Sequence, residues 1–161
     1  MDLSGKWNDT DSKLVSEEMI KDCLSRPWID QFQLSSSKRP TVIVGTVVNK
    51  TDEHIISETF TKDLERAFIN SGRVQLVASR EERTEVRQER VDMQEHASAE
   101  TRKQMQSEKA SDFMLKGVIN SIIDKEKKKK IIYYQIDLEL INNETNQKTW
   151  IGDKKIKKYI H

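Results

Sequence analysis

Cys23, His54, His96 and His161 are, beside the carboxylates, the side chains in this sequence best suited to serve as nucleophile, general base or metal ligand near neutral pH. Their spacing supports none of these roles. The three histidines lie far apart and show no ligand spacing, and a single cysteine excludes both an intramolecular disulfide and a cysteine-based zinc site. Cys23 falls on the apolar stripe of a helix, where it reads as a small buried residue rather than a reactive thiol. Carboxylates are plentiful but fall mostly in helical charge ladders, three or four residues from a Lys or Arg. Asp137 and Glu139 share a strand face that alternation places outward, in water. The five glycines are isolated, so there is no phosphate-cradling loop, nucleophile elbow or P-loop. These residues favour a binding or scaffolding module over an enzyme, and they imply no cofactor and no metal.

Two lysine tracts, 125–130 and 154–158, could touch phosphates in a nonspecific, salt-dependent way. Against that, 28 basic and 27 acidic residues leave a net charge of +1, so no global field steers the chain to nucleic acid or an anionic membrane. No aromatic stacking platform is evident among the lysines, and nucleic acid is not an expected partner. No apolar run approaches the roughly 18 residues of a membrane span. The start, Met1-Asp2-Leu3-Ser4-Gly5, has neither a basic region nor an apolar one, so the protein is either cytosolic or begins after a removed leader.

At 161 residues the chain reads as one domain, 1–161, able to bury a working core. Its organising stretch is Thr41 to Val48, β-branched and nearly free of polar side chains, which fits a strand covered on both faces in the middle of a sheet. Before it, Asn8-Asp9-Thr10-Asp11-Ser12 is rich in N-cap residues. The helix opened there places Leu14, Val15, Met19, Ile20, Cys23 and Leu24 on one stripe. Pro27 ends that helix. Trp28, Ile29 and Phe32 then repeat at helical spacing and are expected to plug a core edge, with an exposed recognition role for Trp28 as the alternative.

After the strand, a helix is expected from about Glu53 to Ser71, capped by Asp52 or Thr51, with Ile56, Phe60, Leu64, Ala67 and Phe68 inward. Gly72 suits a left-handed stop. Val74–Val77 is the next strand, which makes a right-handed parallel crossover the expected connection. Residues 80–109 are charged throughout with a thin apolar stripe. They read as one helix, or two jointed near His96-Ala97-Ser98, presenting a solvated face or a partner-binding one. Three strands close the chain: 113–123, a second in which Tyr134, Ile136, Leu138 and Leu140 alternate with polar residues, and about Gln147–Lys158. Residues 124–130 read as a solvated hairpin tip. Lys154, Lys155, Lys157 and Lys158 read as charges that blunt an exposed edge. The order gives an α/β fold of α+β character, a mixed four- to five-stranded sheet with helices on both faces.

From Asp2 to Ser12, DLSGKWNDTDS, the sequence resembles the LpoB family of outer-membrane lipoproteins that activate bifunctional penicillin-binding proteins. The likeness continues through RPTVIVG at 39–45, FTKDLERA at 60–67, INSGRV at 69–74, ASREER at 78–83 and ASDFMLKG at 110–117. It ends with YYQIDLEL at 133–140 and TWIG at 149–152, so it covers nearly the whole chain in order. The resemblance implies a fold similar to the N-terminal domain of the TolB translocation protein. It further implies a noncatalytic, monomeric regulator in the periplasm that docks on a class A penicillin-binding protein and stimulates peptidoglycan synthesis. The family's lipidated cysteine and linker have no counterpart here, since Cys23 sits mid-helix. Asn8, Asp9 and Asp11, around the first helix cap, are the candidate partner-binding residues, with helix capping as their structural alternative. The other function considered is a structural or assembly accessory of the cell envelope.

Overall fold

The structure is a computed structural model that describes residues 6–55, 57–78, 111–126 and 129–160. The elements run α1 (Asp9–Ser25), α2 (Trp28–Ser36), β1 (Thr41–Asn49), α3 (Ser57–Ser71), β2 (Gln75–Leu76), β3 (Phe113–Glu126), β4 (Lys129–Asn142) and β5 (Lys148–Ile160). The strands form one five-stranded mixed sheet in the order β2-β1-β3-β4-β5. β1 is parallel to β2 and to β3, while β3, β4 and β5 form an antiparallel meander. β1 is thus an interior strand, but β3 holds the middle of the sheet. A register shift between Val44 and Val47 kinks β1, and beyond it Val48 is 44% exposed.

The meander is long because its alternation is unbroken. Ile132, Tyr134, Ile136, Leu138 and Leu140 are all buried on one face of β4, opposite Leu115 and Ile119 of β3. The β3–β4 ladder extends to Glu126↔Lys129, so most of the expected hairpin tip is paired strand. β5 continues the sheet beside it, with Lys130↔Ile160 and Ile131↔Tyr159 in register. Gly117 makes the central pairing possible: a Cβ at that position would lie 2.4 Å from the Asp137 carbonyl oxygen.

The side chains of α1, α2 and α3 join a single core with that face. Trp28 and Phe32 close on Phe113 edge to face, at 4.9 and 5.4 Å between ring centroids, so α2 is the expected plug. Its Trp28 indole donates to the Cys23 carbonyl at 2.8 Å. The helices described here pack on this face of the sheet; the helix expected over 80–109 lies outside the described residues, as does Ile56.

Two helices differ from their expected form. In α1 the buried stripe runs through Ser12, Val15, Ser16, Met19, Ile20 and Cys23, and Leu14 is 55% exposed. The reason is that α1 packs against α3 as well as the sheet. Small serines line that contact, with Ser12 Oγ donating to Asp63 at 2.7 Å, and Leu14 is turned to solvent one residue before Val15. α3 begins at Ser57 rather than near Glu53. Asn49 accepts from the Thr51 amide at 3.0 Å and donates to the Glu53 carbonyl at 2.9 Å, which holds Thr51 and Glu53 in a turn instead of a cap. At the other end Gly72 has φ of +70°, the left-handed stop its position suits.

Candidate functional site

The sequence candidates all lie at the start of α1, where extended backbone enters the helix. Asn8 is the N-cap. Its Oδ1 accepts from the Asp11 amide at 3.0 Å, and Asp11 Oδ2 accepts from the Asn8 amide at 3.0 Å, a reciprocal capping box. Asp11 also takes the Lys158 ammonium at 2.6 Å. Asn8 and Asp11 therefore face into the fold, while Asp9 is exposed on the first turn, where a carboxylate meets the positive end of the helix dipole. The three candidates share one turn but not one direction.

Beneath this turn is a polar cluster that the candidate list did not contain. Lys158, 1% exposed, donates to the Lys6 carbonyl at 3.0 Å as well as to Asp11. It is a correction to the reading of Lys158 as an exposed edge charge. On β5, Trp150, Lys154, Ile156 and Lys158 share a parity and point to the core face. Lys154 meets Glu18 at 2.8 Å and the Trp150 indole meets Asp22 at 3.0 Å. An acidic series on α1, Asp11, Glu18 and Asp22, thus docks on donors of β5. The signal was present in the sequence: Lys158 stands at even spacing from Trp150 and Ile156.

Next to it, the buried Tyr134 hydroxyl accepts from the Trp7 amide at 3.2 Å and donates to the Glu53 carboxylate. Burial, then the bond to Glu53, pushes the Tyr134 pKa well above the ordinary phenol value, so the group remains a donor. Trp7 stacks edge-on against Phe60 at 5.9 Å and Tyr134 at 5.7 Å, which ties the N-terminal segment to α3 and β4. Cys23 is fully buried, and desolvation raises its thiol to about 12, as befits a packing residue. His54 is exposed on the loop before α3; His96 and His161 lie outside the described residues. Asp137 and Glu139 are half-buried on the outer face of the sheet, where Gln135 donates to Asp137 and Lys148 pairs with Glu139 at 3.3 Å. These arrangements hold polar groups in fixed pairs.

A mixed five-stranded sheet packed with helices, carrying its candidate residues on a helix cap, defines a domain of α+β class. The description that fits it is peptidoglycan-synthase activator LpoB, whose family model matches residues 11–156, and the chain belongs to that family. Among solved structures it is similar to the LpoB C-terminal domain from Salmonella enterica, with 14% identity, 81% of this chain and 93% of that one covered, and a TM-score of 0.43. The corresponding Escherichia coli domain gives 13% identity, the same coverages and a TM-score of 0.44. Lipoprotein GNA1162 from Neisseria meningitidis gives 10% identity, 74% of this chain and 83% of that one, and a TM-score of 0.44. Comparison with curated protein sequences returns no match.

Proposed function

We propose that this domain is a noncatalytic regulator that docks on a bifunctional, class A penicillin-binding protein and stimulates peptidoglycan synthesis. The observation that carries this reading is the family match over 11–156, nearly the whole chain. The domain acts as a monomer in the periplasm, held to the outer membrane by an N-terminal lipid anchor that precedes this segment, without a cofactor or a nucleic-acid partner. Docking raises the synthase's rate only by binding its active conformation more tightly than its resting one. A coupling of about 1–3 kcal/mol would give roughly 5- to 150-fold. The contact surface includes the α1 cap, where Asp9 offers its carboxylate to the partner and Asn8 and Asp11 hold the turn that presents it.

The test is polymerisation of lipid-linked precursor by the cognate synthase with and without this domain, alongside direct binding. Stimulation that saturates with domain concentration supports the reading. No rate change and no binding at high concentration overturns it, and recovery of envelope-assembly proteins instead of a synthase from envelope extracts points to an assembly accessory.

A further inference from the structure

β5 ends the sheet at one edge, so no strand among the described residues lies beyond it, and every second residue turns its N–H and C=O outward. Such edges are guarded by lysines, prolines, bulges or shortness. β5 runs 13 residues without proline, and its register shift falls at its start, between the pairs Ile141↔Lys148 and Leu140↔Trp150. The lysines expected to guard it are drawn into the domain. Lys154 reaches Glu18 at 2.8 Å, and Lys158 is buried on Asp11. Lys157 leans over the Tyr133 and Tyr159 rings, 5.6 and 5.2 Å from their centroids. Of the four, Lys155 alone stays at the edge without a partner among the described residues. Asp153 beside it lacks a counter-ion. It stands directly opposite Asp137 of β4, a like-charge cross-strand pair. Gln135 donates to Asp137 at 3.2 Å, but Asp153 has no cation within ion-pair distance among the described residues. Ile151, Asp153, Lys155, Lys157 and Tyr159 share this face of β5 and are all exposed, Ile151 by 62% and Tyr159 by 50%.

We propose that the free edge of β5, from Ile151 to Tyr159, takes an extended segment of a partner protein as an added antiparallel strand, with a basic residue opposite Asp153 and an acidic one opposite Lys155. Main-chain hydrogen bonds hold such a strand whatever its sequence, and the cross-strand pairs select it. The basic residue supplies the cation that the Asp137 and Asp153 pair lacks, and the acid meets the lysine left at the edge. Apolar residues at the two ends of the segment meet Tyr159 and Ile151. On the core side the added strand meets no unpaired charge, because Lys154 and Lys158 already have their carboxylates. A second copy of this chain does not fit. Two-fold edge pairing centred on any residue from Asp153 to Lys157 sets a charge directly against its like. Asp153, Lys154, Lys155 or Lys157 then faces itself, or, about Ile156, Lys155 faces Lys157. The site goes beyond the synthase reading, and its test needs no synthase.

The probe is a synthetic peptide of that pattern, with leucine at both ends, glutamate placed to face Lys155, lysine placed to face Asp153 and threonine elsewhere. It is titrated against the full chain by fluorescence anisotropy. A peptide with the glutamate and lysine exchanged binds about tenfold more weakly, since two cross-strand pairs turn from attractive to repulsive. Asp153→Lys with Lys155→Asp, both at exposed positions, reverses that preference. Amide hydrogen exchange reads strand addition itself: the fast-exchanging amides of β5 between Ile151 and Tyr159 become protected at saturating peptide, while those of β1 do not change. Failure of the matched peptide to bind overturns the proposal, as do equal affinities for the two peptides or unprotected β5 amides at saturation. Protection that grows with protein concentration in the absence of peptide overturns it too, because a second copy then fills the edge.

Discussion

Replacing Lys158 by Met asks whether the contact that joins the last strand to the first helix is a buried ion pair in energy as well as in geometry. The ammonium is 1% exposed and 2.6 Å from Asp11, whose side chain is 13% exposed. At an effective dielectric of about 20 the gross attraction is of order 6 kcal/mol, most of it offset by desolvation of both groups. Removing one partner leaves the other with its desolvation cost uncompensated, so Lys158→Met is expected to lose about 3 kcal/mol. In urea, followed by the fluorescence of Trp7, Trp28 and Trp150, the midpoint falls by about 1.5 M for an m-value of about 2 kcal/mol/M. Asp11→Asn keeps an oxygen for the Asn8 amide but loses the charge, and costs a similar amount. The double variant costs little more than either single one, a coupling of about 2 kcal/mol. Salt near 1 M leaves the differences intact, because a buried pair is screened far less than a surface pair. A Lys158→Met loss below about 0.5 kcal/mol, or additive single costs, would refute the account and return Lys158 to the role of an exposed edge charge.

Three further outcomes are expected. Gly117→Ala drives a Cβ to 2.4 Å from the Asp137 carbonyl oxygen and so forces β3 and β4 apart, costing about 1–3 kcal/mol by thermal unfolding. Cys23 carries a thiol raised from 9.0 to about 12 by burial, so above pH 9 the unfolded chain loses this proton while the folded one keeps it. The stability tied to Cys23 is complete below pH 9 and is lost as pH rises toward 12, and Cys23→Ala should flatten that alkaline slope in a pH series of unfolding midpoints. Asn8→Ala removes the cap of α1 and costs about 1 kcal/mol in chemical denaturation, while Asp9→Ala, at an exposed position, costs at most a few tenths. In synthase stimulation the order reverses, with Asp9→Ala the more damaging once both proteins are folded.

The features legible in the sequence were those set by neighbours along the chain. Asn8 as a cap, the break at Pro27, the left-handed turn at Gly72 and the strict alternation of β4 each follow from a few adjacent residues. What escaped was set by partners far away in sequence. Leu14 belongs to the apolar repeat of α1, but α3 approaches over Ser12 and Ser16 and leaves it outside. Thr51 and Asp52 look like helix caps, yet Asn49 captures the backbone first. Lys158 looks like one lysine in a solvated run until strand parity and the position of Asp11 are both known. The candidate site was legible only as far as its cap. The family came from the ordered matches along the chain, because no local spacing announces a docking surface.

The bonds between α1 and β5 join residues 128 apart for Trp150 and Asp22, and 136 apart for Lys154 and Glu18. Closing a loop that long costs about 2 kcal/mol more in chain entropy than closing one of 10 residues. The β3-β4-β5 meander, with its near neighbours in sequence, can assemble first, and the opening helix must wait for it. During synthesis α1 is made before every strand of the sheet, yet its acidic residues Glu18 and Asp22 have nothing to meet until β5 arrives. α1 and β5 then fasten to each other, so the domain becomes a cooperative unit only when β5 is in place.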